Sequence, residues 1–341
     1  MVALAVAALA GCSGGGSSKA AATVTATPER STGPTTTAAP AVYPLTGLPV
    51  SNPATVGRPL LAVKIDNSPE ARPQAGLDRA DMVVEEVVEG GLVRFMAIFQ
   101  SQDADRVGPV RSVRPVDGKL LTPIKGYFAY SGGNLTEKAL IKQAPLTLVG
   151  VDELPAAYTR RRDRRAPHNL YTSTQGIYGR APAAGGAPPA LFAYRAAGTP
   201  PSGSGMAPLA KLQIVMGPLT NASWTWDASA GVFRRSTNGS AHTVEGGGQL
   251  GFANVVVQFV GYQDRPNGET DSVGAPVPEA NVAGTGDAWI LSGGMLVKGR
   301  WNKANDGAVT TYTDAAGAPV KLAPGSTWLM LAPIGAQVTT Q

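Results

Sequence analysis

Met82-Val83-Val84-Glu85-Glu86-Val87-Val88, then Glu89-Gly90-Gly91, then Leu92-Val93-Arg94-Phe95-Met96-Ala97-Ile98-Phe99 is the stretch that decides the fold. Two runs of β-branched and apolar residues on either side of a glycine pair predict a β-hairpin. Upstream, Leu60-Leu61-Ala62-Val63-Lys64-Ile65 is bounded by Arg58-Pro59 and by Asp66-Asn67-Ser68-Pro69, which predicts a buried strand ending in a turn. Downstream, helices are expected over 120–125 and 135–143, the second with Asn134 as its cap. Residues 181–205 thin out into Ala, Gly, Pro and Ser and predict a linker. Beyond them, runs at 211–216, 223–227, 231–235, 253–260, 288–291, 295–301, 309–312 and 327–331 are short, strand-like and separated by turn signals. The expected fold class is α+β: a mixed α/β N-terminal domain over 43–180, then a mostly antiparallel β-domain over 206–341.

Composition agrees with that class. Gly 42 and Pro 28 among 341 residues, with 6% aromatics, favour strands and turns over a helical bundle. The net charge of +5 is concentrated in the first half, where Arg58, Arg72, Arg79, Arg94, Arg106, Arg111, Arg114 and the Arg160 to Arg165 run predict a positive surface.

Cys12 is the single cysteine, so no disulfide is expected. It closes Leu9-Ala10-Gly11-Cys12 after an apolar stretch far shorter than the roughly 20 residues of a membrane-spanning helix. This arrangement resembles the lipobox of bacterial lipoproteins, which implies cleavage before Cys12, acylation of its thiol and a place on the outer face of the cytoplasmic membrane. The basic segment that opens a signal peptide is missing, since no Lys or Arg precedes Lys19, and a start further upstream stays open. Residues 13–42, rich in Ser, Thr, Ala, Gly and Pro, predict a tether with a reach of roughly 30 Å. For an exported chain the expected partners are the membrane and an anionic wall polymer or lipid-linked precursor, not nucleic acid.

Candidate chemistry gathers where apolar runs give way to loops. Arg111 and Arg114, in Gly108-Pro109-Val110-Arg111-Ser112-Val113-Arg114-Pro115, can present two planar forks to a phosphate or carboxylate, or pair with Asp66, Glu85 or Glu86. Arg94, Asn67 and Asn169 complete the ligand-binding candidates. His168, in Pro167-His168-Asn169, becomes a general acid or base if it shares a cleft with Asp66 or Glu86, so Asp66, Glu86 and His168 are the catalytic candidates. No HExxH, CxxC, Walker or Gly-x-Ser-x-Gly motif occurs, and neither a metal nor a cofactor is called for. Trp224, Trp226 and Trp301 are expected in the core.

Lys64-Ile65-Asp66-Asn67, Arg72-Pro73-Gln74-Ala75-Gly76-Leu77, Glu89-Gly90-Gly91, Val107 through Pro115 and Ala166-Pro167-His168-Asn169-Leu170-Tyr171 resemble the signature of the YerB-like lipoproteins, the DUF3048 family. Phe233-Arg234-Arg235, His242, Gly299-Arg300-Trp301-Asn302-Lys303 and Pro324-Gly325-Ser326-Thr327-Trp328 are similar to its C-terminal pattern. The resemblance spans roughly residues 44–333 and implies a two-domain exported lipoprotein without implying an activity. A looser pattern, Asp66, Arg79-Ala80-Asp81, the arginines at 111 and 114 and Gly132-Gly133, is similar to that of LytR-CpsA-Psr transferases. Three readings stay open at this level: a binder of an anionic envelope ligand, a cell-wall enzyme acting on a phosphorylated precursor or glycan, and a structural scaffold.

Overall fold

The computed structural model describes residues 15–16, 41–265, 270 and 274–341. Cys12 and most of the 13–42 segment lie outside the described residues. Strands β1 (Leu61–Ile65), β2 (Met82–Val87) and β3 (Val93–Phe99) form the centre of the fold. The β2–β3 hairpin pairs Val87 with Val93, Glu86 with Arg94 and Glu85 with Phe95. Its turn needs glycine: Gly90 and Gly91 sit at φ +67° and +71°, and a Cβ on Gly91 would stand 2.7 Å from Pro218.

On one side β1 pairs in parallel with β4 (Tyr127–Ala129), and β4 with β5 (Thr147–Leu148). The second half contributes, among shorter strands, β6 (Lys211–Gly217), β7 (Thr220–Asp227), β8 (Val232–Thr237), β9 (Asn254–Val260), β10 (Gly284–Ser292), β11 (Met295–Lys303), β12 (Thr311–Thr313) and β13 (Thr327–Pro333). All their pairings with one another are antiparallel except β9 with β13. The class is thus α+β, mixed in the first half and mostly antiparallel in the second. Strand β13 lies between β9 and β2, parallel to both, with Thr327 beside Met82 and Asn254. The two halves therefore build one eleven-stranded sheet among the described residues, its main path running β12-β11-β10-β9-β13-β2-β3-β1-β4-β5.

Both faces of that sheet are covered, which is why its central strands read as continuous apolar runs. Alternate residues Val83, Phe95, Ala97, Trp328 and Met330 pack with Trp224, Phe233 and Phe252 of the second sheet, formed around β6, β7 and β8. The opposite set, Ala62, Met82, Val84, Met96, Ile98 and Leu329, packs beneath α1 (Pro115–Leu121) and α2 (Leu135–Ile141) through Val116, Leu121 and Ile141. The first helix expectation, 120–125, is corrected: it followed the apolar pair Leu120-Leu121, whereas the helix begins with Pro115 at its first turn, Asp117 Oδ2 accepting the Arg114 N–H at 2.6 Å. The second ends at Ile141, not 143, and is capped reciprocally: Asn134 Oδ1 accepts from Glu137 N at 2.7 Å, and Glu137 Oε2 from Asn134 N at 2.9 Å. Trp224 and Trp301 are buried, and half-buried Trp226 rests against Phe233. No helix among the described residues is long and apolar enough to cross a membrane.

Glu85 and Glu86, adjacent in β2, point to opposite faces. Glu85 meets Arg235 of β8, both 0% exposed: Arg235 Nη2 donates to Glu85 Oε1 at 2.7 Å and Nη1 to Oε2 at 3.0 Å. Trp328 Nε1 donates to the same carboxylate at 2.7 Å, and the guanidinium lies 4.6 to 5.5 Å from the Trp328, Trp224 and Phe95 ring centres. Such a pair is costly to break because one charge is left buried alone. Arg235→Ala is expected to lose about 3–5 kcal/mol of stability in urea unfolding, with Glu85→Leu/Arg235→Met recovering much of it. A loss under about 1 kcal/mol for the single variant would remove the pair from its joining role.

Candidate functional site

One extended segment assembles the site. Residues 107–111 run between the end of β1 and residues 170–172: Arg111 N donates to Lys64 O at 2.9 Å, Asp66 N to Pro109 O at 2.9 Å, and Val110 N to Leu170 O at 2.7 Å. Asp66, Arg111 and the loop bearing His168 are thereby brought side by side. Ser131 N donates to Arg111 O and Val113 N to Gly132 O, each at 2.9 Å, which sets Arg111 to Arg114 against the start of α2.

Here a cleft of about 390 Å³ opens, lined among others by Glu89, Arg94, Arg111, Arg114, Asn134 and Glu137. Arg114 pairs with Glu89 and, at 3.3 Å, with Glu137, and also donates to Val113 O at 2.7 Å. Among the described residues, Arg94, buried at the floor, has Glu89 at 3.8 Å as its ion-pair partner, and its Nη1 has no hydrogen-bond partner. Burial pushes the Arg94 guanidinium down to about 10, with the neighbouring charges of Arg114 and Arg111 adding to the fall and Glu89 opposing it. Arg111 closes the row, its Nε 3.1 Å from Asp66 Oδ2.

Asp66 divides this cleft from a second. Its Oδ1 accepts from Ser68 N at 3.0 Å, and its Oδ2 is 2.7 Å from Nδ1 of His168, which lines a separate cleft of about 490 Å³ with Glu70, Arg72, Asp163, Arg164 and Arg165. Burial alone would raise the Asp66 carboxyl, but Arg111, the Ser68 N–H and His168 outweigh it and hold it below the usual range. Asp66 is therefore ionised at neutral pH.

Glu86 lies apart from both clefts. Buried under α1, it bonds to Lys64, whose Nζ also donates to Asp117 Oδ1 at 2.7 Å. Asn67 is likewise buried, its Oδ1 accepting from Arg72 Nε and Gln74 Nε2 at 3.0 Å each. Asn169 is half-buried, accepting from Arg160 Nη1 at 3.0 Å and donating to Arg161 O at 3.3 Å. The structure thus brings Arg94, Arg111 and Arg114 together and joins Asp66 to His168 and Arg111, while Glu86, Asn67 and Asn169 line neither cleft. Glu89 and Glu137 were not chosen from sequence as site residues. Glu137 had a signal in the Asn134-x-x-Glu137 capping pattern, which folds the glutamate back to the helix start.

Residues 45–187 match the family described as "Protein of unknown function (DUF3048) N-terminal domain", and residues 212–329 match its C-terminal domain. The chain belongs to the DUF3048 family. Over 131 residues it is 41% identical to "Putative lipoprotein YerB" of Bacillus subtilis (strain 168), a stretch covering 38% of this chain and 39% of that protein. The crystal structure of YerB protein from Bacillus subtilis superposes with a TM-score of 0.73 at 24% identity, covering 88% of this chain and 99% of that one, and the likeness shows a shared DUF3048 fold.

The Glu86 triad makes a pH prediction. Burial pushes the Glu86 carboxyl up to about 7, Lys64 drawing it down and Asp117 driving it further up. A carboxyl raised in the folded state stabilises the fold fully below its unfolded value, near 4.5, and loses that contribution as pH rises through about 7. Glu86→Gln should therefore flatten the fall in urea midpoint between about pH 5 and about pH 8. An unchanged fall would show that Glu86 is already ionised throughout that window.

Proposed function

We propose that this protein is a membrane-tethered, extracytoplasmic binding protein that holds an anionic, phosphate-bearing envelope ligand in the arginine cleft. The observation that carries the reading is Arg94: a buried guanidinium whose Nη1 is unpartnered among the described residues, with two further arginines beside it. Arg114 is paired with Glu89 and Glu137 and Arg111 with Asp66, which leaves Arg94 Nη1 without an acceptor among the described residues, and an anion supplies that missing acceptor. Guanidinium forks suit phosphate oxygens, the chemistry shared by wall polymers and lipid-linked precursors. The tether rests on Cys12 behind Leu9-Ala10-Gly11 and on the relative whose name calls it a lipoprotein.

A binding site and a scaffold separate on one substitution. Arg94→Met removes a buried cation repelled by its neighbours, so the variant should melt no lower than the wild type while losing ligand. With the full chain, inorganic pyrophosphate should raise the melting temperature in a concentration-dependent way, and the shift should vanish in Arg94→Met and shrink in Arg111→Gln. No shift, together with an Arg94→Met variant that melts several degrees lower, would mark the arginines as structural.

For the anchor, Cys12→Ser should move the protein from the membrane pellet to the soluble fraction of expressing cells. Retention in the pellet after that change would remove the lipid anchor from the account.

A further inference from the structure

We propose that Asp66 and His168 form an acid–base dyad serving the second cleft, and that the cleft takes a phosphate ester. The geometry points there independently of the arginine cleft. Asp66 Oδ2 stands 2.7 Å from His168 Nδ1, and Asp66 is an acceptor only when ionised, so Nδ1 carries the proton. Ser68 Oγ, 3.2 Å from the same nitrogen, lies on the same side of the ring. The Nε2 lone pair is left without a partner among the described residues, on a side chain that is 19% exposed and lines the 490 Å³ cleft.

This is the arrangement that makes a histidine an effective base: the carboxylate fixes the tautomer, orients the ring and stabilises the imidazolium that forms. Asp66 is itself held in place by the Ser68 N–H and by Arg111. It never meets the substrate, so it is a positioning residue, whereas His168 faces the cleft. A structural histidine needs no open nitrogen. The second histidine supplies the contrast: Nε2 of His242 bonds to Gln74 Oε1 at 2.9 Å, its Nδ1 to Thr237 Oγ1 at 2.8 Å, and burial followed by the charges of Arg235 and Arg72 keeps it neutral.

The walls choose the substrate. Arg72, Arg164 and Arg165 outnumber Glu70 and Asp163, and Asp163 is already paired with Arg161. Arg164 is braced by Ala71 O at 2.9 Å and Pro73 O at 2.7 Å, and Arg72 by Asn67, so two of the three cations are held against the wall. In the reaction, a water beside Nε2 gives up a proton to it as the water oxygen bonds to phosphorus. The phosphorus–oxygen bond to the leaving group breaks, and the imidazolium returns its proton to that oxygen. Water is the sole co-reactant, and nothing is oxidised or reduced.

Two measurements on the full chain test the dyad. Diethyl pyrocarbonate acylates an unprotonated, accessible imidazole nitrogen, and mass spectrometry reads each histidine separately. His168 should react at least about 10-fold faster than His242, and Asp66→Asn should slow it at least about 10-fold while the circular dichroism spectrum is kept. Hydrolysis of bis(p-nitrophenyl) phosphate and of p-nitrophenyl phosphate, assayed side by side to tell diester from monoester, should fall at least about 10-fold in His168→Gln for one of the two. Added imidazole should recover part of the rate in His168→Ala. His168 reactivity indifferent to Asp66→Asn, or hydrolysis of both esters indifferent to His168→Gln, overturns the proposal. It can fail without the arginine cleft failing, because the acylation is read without ligand and the pyrophosphate shift depends on Arg94 and Arg111.

Discussion

The buried pair of Glu85 and Arg235 is the constraint on which the rest of the molecule depends. It joins β2, the first-half strand that borders β13, to the second sheet, under Trp224, Trp328 and Phe95, with every oxygen of the carboxylate engaged. From there a chain of hydrogen bonds leads outward. Arg235 adjoins His242, His242 bonds to Gln74, and Gln74 Nε2 donates at 3.0 Å to Asp66 O and to Asn67 Oδ1. The loop that carries Asp66 is thus held from below by the same network that joins the halves. A packed core alone would not specify that loop so narrowly, since apolar contacts are non-directional and these bonds are not.

Charge burial on this scale sorts into two kinds. Asp81 accepts from Gln100 N at 2.5 Å, Ser101 N at 2.7 Å and the Ser101 hydroxyl; Lys64 is divided between Glu86 and Asp117; Glu85 has Arg235 and Trp328. Those groups are closed, and closing them is what lets a sheet covered on both faces carry charged residues in its central strands. Arg94 and His168 are of the other kind, each with one nitrogen unpartnered among the described residues and facing a cleft. The two sit on opposite sides of Asp66, linked through Arg111, so an anion drawn to Arg111 also alters the field at the histidine.

Much of this was legible in the sequence. The β2–β3 hairpin, β1, Asn134 as a cap and strands β6 to β13 of the second half follow from period, β-branching and glycine turns, while the two- and three-residue strands between and after them do not. Arg94, Arg111 and Arg114 each stand out where an apolar run meets a loop, but their convergence depends on residues 107–111 pairing beside β1. What was not legible depends on pairing between distant segments. Nothing local marks β13 as the strand that slots between β2 and β9, and without it the halves read as separated by 181–205 when they share one sheet. For the same reason Glu85 and Glu86 look alike in sequence, although one faces Arg235 across the layers and the other faces Lys64 and Asp117 beneath α1. The split between the two clefts was hidden too, because it turns on which side of Asp66 each neighbour lies.

On the binding function proposed above, an anion completes the buried Arg94. A crystal structure of the full chain grown with inorganic pyrophosphate tests it most directly. Density bridging Arg94 Nη1 with Arg111 or Arg114 in the cleft is the expected result. A cleft without the anion, with Arg94 drawn onto Glu89 in a closed pair, would contradict it.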